Sequence, residues 1–352
     1  MPNYNSPRFQ WLFSQIQTGG YNVVNNTGGT WSNSAAQLIR IPEGSFSASR
    51  SAPYTPFPVL TGTRSMVPGI RGRKNGPAFS ISGLPIIPSG TAGTPPEMAT
   101  ILQNIFGVGG TVVASTSVTY GPFVDSGNFP LTLLYFNNSS TSFTQFYYWG
   151  CFVRQWKIDF NGPFLTIDID GFFGWGVDST AFSIQQSQGG AASLTSFPTA
   201  PVSPTVVGQP IAGFGSGYNC TIASQSVELK TRVLSITGET GWVPIQDVLG
   251  SAYPIAAVGD TRRMAFQLQA LDDDSTALNT LKTDADTDNS TYSMQVVAGA
   301  AAGSIVTANL NNVQINDFNL VDQGAIMMCD IPTSYGHASA IGQSNDFSLI
   351  FT

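Results

Sequence analysis

The side chains best suited to chemistry are acidic, and they fall in three groups. Asp284-x-Asp286-x-Asp288 has the spacing that opens an EF-hand calcium loop. Asn289 stands where that loop needs its sharp-turn glycine, and Gln295 replaces the bidentate glutamate, so a solvated turn is the better reading. Asp272, Asp273 and Asp274 are placed to face the positive end of a following helix. Asp168 and Asp170 alternate on one strand face, as paired glycosidase acids do, but no cleft signature frames them. His337 is the only histidine, which excludes a histidine-ligated metal cluster. A Ser–His–Asp triad would depend on that one residue, set in the small-residue loop Tyr335-Gly-His-Ala-Ser. Neither a Gly-x-Ser-x-Gly elbow nor a phosphate-binding loop occurs. The expectation is no enzyme, no metal and no cofactor.

Basic residues concentrate in a proline-rich loop, Ser51 to Asn75, with Arg64, Arg71, Arg73 and Lys74. Such a cluster can bind nucleic acid. No aromatic stacking platform accompanies it, however, and the net charge of −7 opposes tight phosphate binding. Docking against an acidic neighbour is the preferred reading. A second long loop, Leu234 to Asp260, is apolar instead, with Trp242, Val243, Ile245, Tyr253 and Ile255. A loop of that composition needs a partner surface.

Around these groups the chain repeats itself. Leu38 to Arg50 is extended, a long loop follows, Ala78-Phe-Ser-Ile-Ser-Gly83 makes a short strand, and a helix opens at Thr94-Pro95-Pro96-Glu97. Later, Cys220 to Val233 is extended, a long loop follows, Met264 to Leu271 is a strand, and a helix opens at Asp274-Ser275. From Ser45 to Thr94 is 49 residues, and from Val227 to Asp274 is 47. The first helix has a capping box and an apolar stripe of Met98, Ile101, Leu102, Ile105 and Phe106, with Gly107 as its stop. Strand signals fill the rest: Thr111 to Tyr120, Leu131 to Phe136, Gln145 to Phe160 and Phe164 to Asp170 in the first copy. In the second they cover Ser290 to Gly299, Ser304 to Leu320, Ala325 to Ile331 and Asp346 to Thr352. The first copy carries 20 more residues between helix and return strand, expected in Asp125 to Phe143.

The expected domains are an N-terminal arm (1–37), a first domain (38–184), a linker (185–217) and a second domain (218–352). Their fold class is mainly β with an α+β element, each domain a β-sandwich flanked by one helix. Only 10% of residues are charged, against about 25% in ordinary soluble domains. So weakly charged a surface invites self-association, which suits an assembly; an extracellular all-β protein is the alternative. Three cysteines are too few and too scattered for a disulfide framework and read as small buried residues. Met1 to Gln17 lacks the apolar core of a signal peptide, and no apolar stretch is long enough to span a membrane. Synthesis and folding in the cytosol are expected.

The order of these pieces resembles the major tail tube proteins of long-tailed, siphovirus-like bacteriophages, in the larger form that holds the tube domain twice. Ala78 to Gly83, the Gly93-Thr-Pro-Pro-Glu-Met helix entry, Thr111 to Tyr120, Leu131 to Phe136, Trp149-Gly-Cys and Leu165 to Gly171 carry the resemblance, which covers Leu38 to Thr352. It implies inner sheets joined into a ring-shaped β-barrel. Three chains make a trimeric ring with pseudo-sixfold symmetry, a hexamer being the alternative. Rings stack through the long loops, including Arg64, Arg71, Arg73, Lys74, Trp242, Val243, Ile245 and Tyr253. It further implies a virion structural protein assembled in the host cytoplasm, with tape measure, tail terminator and tail tip proteins as partners. Genomic DNA passes through the lumen without specific binding, and no membrane is involved. Asp159, Asp168, Asp170, Asp317 and Asp322 are the expected lumen-facing carboxylates, against an outward, solvated placement. The competing functions are another phage structural protein (decoration, baseplate or fibre) and a carbohydrate-binding β-sandwich suggested by Phe143, Phe146, Tyr147, Tyr148 and Trp149.

Overall fold

A computed structural model of the chain describes residues 5–17, 37–51, 54–57, 67–71, 75–123, 129–139, 143–178, 208–213, 218–222, 227–228, 231–245, 254–272, 278–279, 282–283, 291–315, 317–322, 324, 326–333, 336 and 345–352. The protein is mainly β, built from several antiparallel sheets in a sandwich-like arrangement. The first half opens with β1 (Asn5–Ile16), β2 (Gln37–Ile39) and β3 (Phe46–Ser51). A small hairpin of β4 (Tyr54–Phe57) and β5 (Val67–Arg71) precedes β6 (Asn75–Pro85) and helix α1 (Ala99–Phe106). Then come β7 (Thr111–Val113), β8 (Ser117–Tyr120), β9 (Leu131–Ser139), β10 (Phe143–Asp159), β11 (Thr166–Phe172) and β12 (Trp175–Asp178). The second half begins with β13 (Asn219–Ile222), β14 (Val227–Glu228), β15 (Thr231–Glu239) and a hairpin of β16 (Trp242–Ile245) and β17 (Ala256–Gly259). It ends with β18 (Arg263–Leu271), β19 (Tyr292–Ala298), β20 (Val306–Val313), β21 (Asn319–Asp322), β22 (Met327–Pro332) and β23 (Phe347–Phe351).

The halves repeat one strand order. In the first, β3-β6-β11-β10 form one sheet and β2-β1-β9-β10-β12 a second. In the second, β15-β18-β22-β21 and β14-β13-β19-β20-β23 run in the matching order. The first sheets of the two halves are one sheet, because β10 also pairs with β15, Ile158 opposite Ile236 and Trp156 opposite Gly238. No barrel closes among the described residues of the single chain. The core lies between the layers and runs through both halves, from Leu12 and Ile81 through Trp156 and Ile236 to Phe351.

Strand β10 serves both layers of the first half. Its first part pairs with β9 and β12, its last part with β11 and β15, and register shifts near Tyr148/Cys151 and Val153/Gln155 turn it from one sheet to the other. Backbone groups freed at such a bend must find other partners. Buried Asn104 on α1 supplies them: its Oδ1 accepts the Val153 N–H at 2.8 Å, and its Nδ2 donates to Phe129 O at 2.6 Å. Gln17 Oε1 accepts the Gly150 N–H, and Thr240 Oγ1 donates to Val153 O.

Several expectations change. Helix α1 starts at Ala99, without a side-chain cap, because residues preceding Pro95 and Pro96 are pushed out of the helical region. Glu97 instead accepts Arg40 N–H and Arg40 Nε–H, at 2.5 and 2.6 Å. The stripe of Met98, Ile101, Leu102, Ile105 and Phe106 is buried, and Gly107 ends the helix in the left-handed region, as its sequence predicts. The segment read as an arm contains β1, which pairs with β9 and buries Leu12 and Phe13, as β13 pairs with β19. Cys220 to Val233 is not one strand but β13, β14 and the start of β15, and β15 continues to Glu239 into what reads as loop. Thr111 to Tyr120 is two strands, turning at Ser115 with φ 56°. The extra residues of the first copy lie before β9, where β7 and β8 sit, while Asp125 to Phe143 holds β9 itself. In the second half residues 278, 279, 282 and 283 are helical, and the rest of the expected helix lies outside the described residues. Of the expected linker, Ile211 is buried, accepting the Leu165 N–H and donating to Ile86 O.

Candidate functional site

Alternation along the joined sheet gives it one apolar and one polar face. On β11, Leu165 (just before it), Ile167 and Ile169 are buried, and Thr166, Asp168 and Asp170 point the other way. The register carries this face across the junction. Asp170, Gln155, Glu239 and Arg263 stand in one row, and Asp168, Lys157, Thr237 and Ala265 in the next. A shallow open depression of about 320 Å³ lies over these rows. Gln155 Nε2 donates to Glu239 Oε1 at 3.1 Å, and Lys157 Nζ lies 3.6 Å from Asp159 Oδ2. Asp168 Oδ1 accepts the Gly83 N–H at 2.6 Å, where β6 shifts register and Gly83 takes φ 61°. Asp168 therefore holds a bulge as well as charging the face.

The structure brings Asp159, Asp168 and Asp170 together on this face, with Lys157 and Arg263 among them. Asp317 and Asp322 are elsewhere. Asp317 lies just before β21 and accepts its neighbour's amide at Phe318. Asp322 stands opposite Met327 and on the side of Leu320, which faces Cys329, so it belongs to the core-side row. Glu239 and Asp330 are the polar-face carboxylates that sequence reasoning missed. Asp330 is flanked by buried Cys329 and Ile331, with Gln269 and Asn319 beside it on the neighbouring strands. That alternation was the available signal.

Both long loops contain a two-stranded hairpin at the same place in the repeat. In β4–β5 the register shifts between Thr55 and Phe57, which accommodates Pro56 in a strand. Arg71 ends β5, while Arg64, Arg73 and Lys74 lie outside the described residues. In β16–β17, Trp242 packs 4.8 Å from the Phe152 ring, which stacks on Phe172 at one end of the polar face. That anchor leaves Val243, Ile245, Ile255 and Val258 exposed, two of them by half or more. Tyr253 lies outside the described residues, as do His337 and Asp284 to Asp288. Among the described residues no group of three or more His, Cys, Asp or Glu is arranged to hold a metal ion.

The joined sheet ends at β3 on one side and β21 on the other, neither of which has a further partner among the described residues. Ile158, on the core side of β10 beside β15, is 1% exposed; Leu320, on the core side of β21, is 57% exposed. Ile326 and Met327 beside it are also exposed. None of the three cysteines is in a disulfide, and all are buried. Burial pushes the Cys220 thiol up to about 12 and raises that of Cys151. No helix among the described residues is long and apolar enough to cross a membrane.

No protein-family model matches the chain, and no curated protein matches it in sequence.

Proposed function

We propose that this protein is a tail tube subunit of a siphovirus-like phage, a virion structural protein whose rings stack into the conduit for DNA ejection. The observation that carries the reading is the β10–β15 junction. The last strand of the first half's inner sheet pairs with the first strand of the second half's. The same two positions in the repeat, β21 and β3, are the bare edges. Pairing β21 of one chain with β3 of the next repeats the internal junction between chains. Three chains then close a pseudo-sixfold β-barrel with no edge left over. The polar face becomes the lumen, where Asp159, Asp168, Asp170, Glu239 and Asp330 give DNA a like-charged, weakly adhesive wall. The exposed apolar hairpin β16–β17 meets the adjacent ring, a heterologous contact that propagates. Tape measure protein fills the bore during assembly, and terminator and tip proteins cap its ends.

Leu320→Asp is the test. It charges a position that the single chain leaves exposed, so monomer stability should stay within about 0.5 kcal/mol. Electron microscopy should show rings or tubes for the natural protein and none for the variant. Rings that persist in Leu320→Asp, with the same number of chains by mass, would place the contact elsewhere.

A further inference from the structure

We infer that the β7–β8 hairpin is a clamp across the junction between the two halves, and that the junction between chains lacks one. The consequence for a ring rests on the function proposed above; the clamp itself is a property of one chain.

Strand β8 belongs to the first half, yet it pairs with β23 of the second, Tyr120 opposite Leu349 and Val118 opposite Phe351. The C-terminal strand is thus held between β20 of its own half and β8 of the other. Side chains follow the same path. Phe347 stacks on Phe106 of α1 at 5.8 Å and packs on Trp156 at 5.4 Å. Phe123, just after β8, stacks on Phe106 at 4.6 Å, and the Arg262 guanidinium lies 4.4 Å above its ring. Two glycines let the loops touch nearby. Gly90 N–H donates to Gly303 O at 3.1 Å, and a Cβ on Gly303 would meet Gly90 backbone at 2.5 Å.

Among the described residues the second half has no counterpart of this hairpin. Residues 107–130 separate α1 from β9, and β7, its turn and β8 occupy ten of them, 111–120. Only residues 284–291 separate the last described helical residue from β19. A ten-residue hairpin does not fit in eight residues that must also travel from the helix to the next strand, at no more than about 3.5 Å each. A junction of β21 with β3 of a second copy therefore forms without a ten-residue hairpin from the segment between helix and β19 of the preceding chain. Rings so built have alternating clamped and unclamped seams, and they come apart between chains.

The experiment inserts a sequence-specific protease site after Gly190 and cuts the purified full-length protein. After dilution to the point where no rings remain, size exclusion with light scattering should show both fragments travelling together at the mass of one chain. Fragments that separate at once overturn the clamp, whether or not the uncut protein makes tubes. Replacing residues 111–119 by a short Gly-Ser link in the cut protein should shorten the lifetime of the pair at least tenfold. Should that variant misfold by circular dichroism, Phe123→Ala, which leaves the strands intact, should shorten it by a smaller factor. An unchanged lifetime in the folded variant overturns the assignment. Uncut protein that makes no rings sinks the proposed function while the fragment result still decides the clamp.

Discussion

The two halves solve one problem differently: how a chain passes from one sheet of its sandwich to the other. The first half does it with a single 17-residue strand, β10, bent by two register shifts. The second half uses two strands, β20 and β21, separated by residues 314–318, with Asn312 at φ 53° near the break. The unbroken crossing needs outside help for its freed backbone groups, which Asn104, Gln17 and Thr240 give from three separate places in the chain. Continuity thus makes the first half's crossing depend on residues 87 or more positions apart from one another.

The junction should be the most sensitive point of this comparison. A Cβ on Gly238 would lie 2.2 Å from the Trp156 ring directly across the strand pair. Gly238→Val is therefore expected to cost about 3 kcal/mol or more in urea unfolding, since that ring is itself locked against Phe347. A well-folded variant of near-natural stability would mean that the halves are not tightly fitted there. Next is the pair of asparagines that serve the two crossings. Asn104→Leu leaves the Val153 amide and the Phe129 carbonyl without their partner in a buried place, and about 2–4 kcal/mol should be lost. Asn311→Leu, in half-buried β20, loses one side-chain bond to Asn345 O and should cost about 1 kcal/mol. Equal losses would remove the distinction between the crossings.

The smallest effect concerns one thiol from each half, Cys151 on β10 and Cys220 on β13. Folding raises both above their ordinary value of 9.0, so between pH 9 and about 12 the unfolded chain has released protons that the folded chain retains. Stability should accordingly be whole below pH 9 and fall as pH rises, by up to about 1.4 kcal/mol per pH unit for each thiol. Cys220→Ala should flatten that slope. At pH 8 neither thiol should react with a disulfide reagent until the protein is denatured.

Strand positions were legible where one face of the strand is buried, and the alternation in Phe164 to Asp170 or Met264 to Leu271 shows it directly. The apolar stripe of α1 was legible for the same reason, but its start was not, since the capping pattern at Thr94 is overruled by two prolines. Strand β1 escaped because its counterpart in the repeat, β13, is four residues long and lay hidden inside a longer extended segment. Asp322 was placed on the wrong side because a short strand like β21 gives too few alternations to fix its facing. The pairing of β8 with β23 joins residues more than 200 positions apart, Val118 with Phe351, and no local pattern announces a contact of that range. Of the candidate site, the carboxylates of β10 and β11 were found from alternation, whereas Glu239 was lost inside a segment taken for loop.

A strand shared by two layers also has a mechanical meaning. Because β10 is covalently continuous through both sheets, those sheets cannot slide past one another without bending it sharply. Its severed counterpart in the other half leaves a short joint between β20 and β21 at which shear can be taken up.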